Sequence, residues 1–88
     1  MTGIMIELTR TERAARKTDL EAALTNLKGV IAVSESRGGD DLLVFPETRD
    51  AKGNLNPLYD ISGDASVSDI SALIKCNGWD VLRALPYR

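Results

Sequence analysis

The chain has 88 residues, of which 43% are hydrophobic and 27% are charged, and its formal net charge is -2. This composition is typical of a single small globular domain and excludes an intrinsically disordered chain. A slight negative charge is the opposite of what a protein that coats nucleic acid needs, so we expect no nucleic-acid partner.

Two residue types that carry much of enzyme chemistry are nearly absent. The chain has no histidine and one cysteine, Cys76. An intramolecular disulfide, a Cys–His or Ser–His catalytic pair and the usual nitrogen and sulfur zinc site are therefore excluded within one chain. We expect no catalytic residues, no metal, no cofactor and no enzymatic activity.

The N-terminal stretch MTGIMIELTR has no basic run followed by a long apolar core, so it does not read as a secretory signal. No apolar run approaches the roughly 18 residues of a membrane helix. These features predict no membrane association and, with so little cysteine, a reducing and cytoplasmic location.

The first third of the chain predicts a strand followed by a helix. In GIMIELT, residues 3–9, apolar residues alternate with others, which indicates a strand with Ile4, Ile6 and Leu8 facing inward. The second half of residues 10–29 has a helical apolar stripe. Thr18 and Glu21 fit a capping box, and Gly29 fits a helix stop. Residues 11–17 fit either an extension of this helix or a separate charged turn. The stripe consists of Leu20, Ala23, Leu24 and Leu27.

The middle of the chain predicts a hairpin and a long loop. VIAVSES, residues 30–36, indicates a strand with Ile31 and Val33 on one face, and RGGD at 37–40 is a turn signal. DLLVFP, residues 41–46, then forms the partner strand. Residues 47–57 are polar and predict a loop or extended hairpin, and LYDIS, residues 58–62, is at best a short, weak strand.

The last third predicts a second helix and a final strand. The helix lies in residues 63–78, begins at a Ser66 or Ser68 cap and ends near Gly78. Cys76 is predicted to be a small core residue, and Trp79 to pack against the helix that it follows. Residues 79–88 form the last strand. The apolar stripe of the helix consists of Val67, Ile70, Leu73 and Ile74.

The resulting order β-α-β-β-α-β predicts an α+β domain over residues 1–88 with the ferredoxin-like arrangement, a four-stranded antiparallel sheet carrying two helices on one face. The stretch LTNLKGVIAVSES, residues 24–36, resembles the helix, Gly-Val and strand of heavy-metal-associated domains. That resemblance implies the same fold. It does not extend to metal binding, because LTRTERA at 8–14 has no cysteine where those domains carry a paired-cysteine loop.

The strand at 41–46 is apolar on both faces, although helices would cover only one face of this sheet. We therefore expect an interaction surface on the uncovered face. Burial against a second copy or another protein is one explanation; the alternatives are coverage by the 46–57 loop and a small-molecule pocket. The predicted interaction residues are Leu42, Leu43, Val44, Phe45, Val81 and Leu85.

The densest group of basic residues is Arg10, Arg13, Arg16 and Lys17. On a helix, positions 10, 13 and 17 share one face, which would suit phosphate or an acidic partner surface. A plainly solvated helix face explains the same pattern.

The sequence favours a non-catalytic protein-interaction module that binds itself, as a homodimer, or a larger protein. One alternative is a small inhibitor or regulator, of the size that mobile elements encode, which acts on a host protein complex by its charged surface. The other is a small-ligand sensor or enzyme subunit.

Overall fold

The computed structural model describes residues 2–35 and 46–86. Within them lie four strands, β1 (Thr2–Arg10), β2 (Val30–Glu35), β3 (Leu58–Gly63) and β4 (Trp79–Pro86), and two helices, α1 (Lys17–Asn26) and α2 (Val67–Cys76). The strands form one antiparallel sheet in the order β2-β3-β1-β4. The predicted α+β class with a four-stranded antiparallel sheet and two helices is therefore confirmed.

The third strand, β3, lies where the sequence predicts at best a short, weak strand. β3 pairs with both β1 and β2, so it is a central strand and not a weak one. Tyr59 and Ile61 are buried on one of its sides and Leu58 on the other. This segment resembles a loop in composition, because it contains Asp60 and Ser62 and follows Pro57. The predicted hairpin turn at 37–40 and residues 41–45 of the predicted partner strand lie outside the described residues.

The core lies between the sheet and the helices, as the alternation in β1 predicts. Ile4, Ile6 and Leu8 all face it. The buried residues of both helices belong to the same cluster, so α1 and α2 cover the same face. Each fully buried aliphatic side chain contributes about 1.5–3 kcal/mol relative to exposure. The other members are Leu20 and Leu24 from α1, Ile70 and Ile74 from α2, and Tyr59, Ile61 and Trp79 from the sheet.

The predicted helix cap is confirmed for α2 and is wrong for α1. At α2 the Ser66 side chain accepts a hydrogen bond from the Asp69 N–H at 3.0 Å, so Ser66 is the cap. At α1 the capping box is wrong, because the helix begins at Lys17 and Thr18 lies inside it. The cap position there is Arg16, which makes no capping side-chain hydrogen bond. Residues 11–16 are turn and irregular structure, not an extension of the helix.

Two bulges shift the strand faces from those that simple alternation predicts. In β4 the pairing passes from Glu7↔Arg83 to Leu8↔Val81, which leaves Leu82 as the extra residue. In β2 the extra residue is Ile31, which is 64% exposed, whereas simple alternation predicts that it shares one face with Val33.

Cys76 is exposed and not a core residue. It follows Ile74 by two positions, which places it about 200° around the helix from that buried side chain. Trp79 does pack in the core, where its indole N–H donates to the Ala15 carbonyl at 2.9 Å. Each described helix has ten residues, and neither is long and apolar enough to cross a membrane.

Candidate functional site

The side of the sheet opposite the helices, here called the open face, is partly apolar. The register brings together Met5 and Glu7 from β1, Leu58 from β3, and Arg83 and Leu85 from β4. Met5 and Leu58 are buried and form a second apolar cluster, separate from the main core. Apolar side chains therefore occupy both faces of the sheet in the described part of the chain.

An ion pair with a buried carboxylate lies on the open face. The Glu7 side chain is 1% exposed, and its Oε1 accepts hydrogen bonds from Arg83 Nε at 3.0 Å and Nη2 at 2.8 Å. Its Oε2 accepts a hydrogen bond from the Thr48 hydroxyl at 3.1 Å. Charge-assisted hydrogen bonds of this kind are what a buried carboxylate needs to offset its lost hydration.

The segment from residue 46 to 57 is anchored to the open face through that carboxylate. Besides bonding to Glu7, the Thr48 hydroxyl accepts a hydrogen bond from Asn56 Nδ2 at 2.9 Å, and the Asn56 N–H donates to the Thr48 carbonyl. The Pro57 carbonyl then accepts the Leu8 N–H, which extends the pairing of β1 beyond β3. This contact matches the alternative in which the 46–57 segment lies over the open face, at the Glu7 end of that face.

Leu85 is an accessible apolar residue of the open face. It pairs directly with buried Met5 and is 43% exposed. Val81, which the sequence analysis grouped with Leu85, packs instead against the helix-covered core, because the bulge at Leu82 changes the parity of β4. The other predicted interaction residues, Leu42, Leu43, Val44 and Phe45, lie outside the described residues.

The ion pair between Glu7 and Arg83 was not predicted from the sequence. The alternation in β1 predicts that Glu7 lies on the face opposite Ile6. The sequence pattern within β1 or β4, however, does not show that Glu7 pairs with Arg83. Only the antiparallel register of β1 and β4 brings the two together. The burial of Met5 and Leu58 likewise depends on β3 being central.

The predicted basic face does not exist as a helical face, because Arg10 ends β1 and the helix begins only at Lys17. Even so, Arg10 and Lys17 both line one cleft of about 380 Å³, here called the Arg10 cleft. Arg16 lies elsewhere, 89% exposed at its side chain and 3.8 Å from Asp19, and Arg13 is also exposed outside the cleft. The other lining residues are Asp50, Asn54, Leu55, Asn56, Pro57 and Trp79.

A hydrogen bond between two ionisable side chains ties α1 to the sheet. The buried Tyr59 hydroxyl donates to Glu21 Oε2 at 2.6 Å. Burial raises the pKa of Tyr59 far above its ordinary value, and the hydrogen bond to the Glu21 carboxylate raises it further. Tyr59 therefore stays protonated at neutral pH and joins the two elements.

Nothing in residues 2–35 and 46–86 groups three histidine, cysteine or acidic side chains closely enough to hold a metal ion. The chain matches no protein-family model and no curated protein.

Proposed function

We propose that the chain is a non-catalytic protein-interaction module that binds its partner through the open face of a ferredoxin-like domain. The element order β-α-β-β-α-β, the antiparallel sheet and the packing of both helices into one core support this type of fold.

The observation that carries the proposal is the contrast between Met5 and Leu85. They are direct cross-strand partners on the open face, yet Met5 is 9% exposed and Leu85 is 43% exposed. An apolar cluster with an accessible apolar rim is the surface that protein partners cover. A second copy of the chain is the first candidate, because most soluble oligomers are symmetric assemblies of one chain.

The absence of catalysis is proposed from the chemistry of the site. The buried carboxylate on the open face, Glu7, is held by Arg83 and Thr48, and such an arrangement serves structure and not proton transfer. The chain has no histidine to take that role.

The test compares two leucines on one strand that differ only in position. Leu82 is 45% exposed, close to Leu85, but is the extra residue of the bulge and has no partner in β1. Sedimentation equilibrium should find self-association in the wild type and in Leu82→Lys. Leu85→Lys should weaken it by about tenfold or more, because burying an ammonium group removes apolar contact and adds desolvation.

If the wild type stays monomeric at every concentration, the partner that we propose is a larger protein instead of a second copy. Immobilised wild-type and Leu82→Lys chains should then capture the same protein, and Leu85→Lys should not. If all three chains capture the same proteins, the open face is not the interface.

A further inference from the structure

The Arg10 cleft is built where four segments of the chain meet. Arg10 is the last residue of β1, and its cross-strand partner Trp79 is the first residue of β4. Lys17 begins α1 on one side, and Asn54, Leu55 and Pro57 come from the segment before β3. At about 380 Å³ the cleft is within the size range of small-molecule sites.

The guanidinium of Arg10 lies over an aromatic ring. It lies 4.6 Å from the centroid of the Trp79 ring, a cation–π distance. The ring is itself fixed, since it is 2% exposed and its N–H donates to Ala15. Among the residues that the structure describes, Arg10 forms no ion pair. Arg10 is also exposed, which makes its charge accessible to a ligand.

The other two charged groups of the cleft are already engaged. Lys17 Nζ lies 2.7 and 2.8 Å from the two Glu35 carboxylate oxygens, which neutralise it. Asp50 Oδ1 accepts the N–H groups of Lys52 and Asn54, each at 2.9 Å, and closes the turn. The Asp50 carboxylate nevertheless lies in the cleft, where it opposes a second negative charge on any ligand. A singly charged anion fits this balance better than a phosphate dianion.

The remaining wall of the cleft is apolar at Leu55, Pro57 and Trp79 and polar at Asn54 and Asn56. Leu55 is 42% exposed there, next to Pro57 and the Trp79 ring. A planar guanidinium matches a carboxylate through two parallel hydrogen bonds, and an apolar wall beside it suits a hydrocarbon or aromatic body.

We propose that the Arg10 cleft binds a small carboxylate that carries an apolar body, with Arg10 holding the carboxylate and Leu55 and Pro57 contacting the body. The lining of the cleft includes neither Met5 nor Leu85, so this proposal is independent of the function proposed above.

Phenylacetate is the probe, with phenylacetamide as its neutral counterpart. Trp79 is the only tryptophan of the chain and lines the cleft, so its fluorescence reports binding directly. We expect saturable quenching by phenylacetate and little change with phenylacetamide. Shifts of the Asn54 and Leu55 amide signals in isotope-labelled protein, with none in α2, provide a second readout.

The variants separate a specific site from general charge attraction. Arg10→Gln should weaken phenylacetate binding by about tenfold or more, the loss expected for a charged hydrogen bond. Arg10→Lys keeps the charge but loses the planar pair of donors, so it should be intermediate. Arg16→Gln removes the same charge from outside the cleft and should bind as the wild type does. Circular dichroism and urea denaturation of each variant check that the fold is intact.

Three results would overturn the site: no saturable response to phenylacetate, equal responses to phenylacetate and phenylacetamide, or equal losses in Arg10→Gln and Arg16→Gln. None of them bears on self-association through the open face.

Discussion

The ion pair between Glu7 and Arg83 predicts that removing its two members has unequal costs. The Glu7 side chain is 1% exposed, whereas that of Arg83 is 43% exposed. Arg83→Met keeps most of the aliphatic stem but removes the Arg83 cation from the buried carboxylate, which should cost about 3–5 kcal/mol of unfolding free energy. Glu7→Gln leaves a guanidinium that water can reach, and should cost about 1–2 kcal/mol.

Urea denaturation at neutral pH measures both values, because the buried Trp79 reports unfolding by its fluorescence. A chain of this length has a total stability of roughly 4–13 kcal/mol, so the larger loss is easy to detect. Arg16→Met is the control. Its exposed contact with Asp19 should contribute less than about 1 kcal/mol. Equal costs for Arg83→Met and Glu7→Gln, or a cost for Arg83→Met as small as that of the control, would refute the reasoning.

Three further predictions concern the scaffold. Because the pKa of Tyr59 is raised in the folded protein, the unfolded chain loses the Tyr59 proton first above about pH 10, and the free energy of unfolding falls there by about 1.4 kcal/mol per pH unit. Urea denaturation of Tyr59→Phe over this pH range should lack the contribution of Tyr59 to that fall. A fall with pH equal to that of the wild type would contradict the prediction. Ser66→Ala removes the α2 cap and should cost about 1 kcal/mol in urea denaturation; no loss would show that the cap is dispensable. Gly78 and Gly53 both have positive φ, +81° and +85°, but only a β-carbon at 78 would overlap the Arg13 carbonyl. Thermal melts should find Gly53→Ala mildly destabilised, by about 1–2 kcal/mol, and Gly78→Ala much more so; similar losses would contradict the overlap.

The features that could be predicted from the sequence are those that depend on the spacing of apolar residues within one helix or strand. Ile4, Ile6 and Leu8 follow a period of two, and the stripes of both helices follow the helical period, so their burial in one core could be anticipated. The Ser66 cap is equally local, since a serine side chain reaches an amide three residues on.

The features that were not predictable depend on pairing between distant segments. β3 carries the polar residues Asp60 and Ser62, and no local pattern in it shows that it lies between β1 and β2. The parity of Leu85 depends on a bulge that the pairing with β1 creates. The Arg10 cleft needs the 54–57 segment beside the end of β1, a contact that no local pattern encodes.

The central claim is that the accessible apolar rim of the open face becomes covered when the protein acts. Methyl NMR of the wild type with a soluble paramagnetic probe, across a dilution series, measures the accessibility of each leucine. The account predicts that the Leu85 methyl groups are shielded from the probe at high protein concentration and become accessible on dilution, while the Leu82 methyl groups remain equally accessible throughout. Self-association that leaves Leu85 as accessible as Leu82 at every concentration would contradict it.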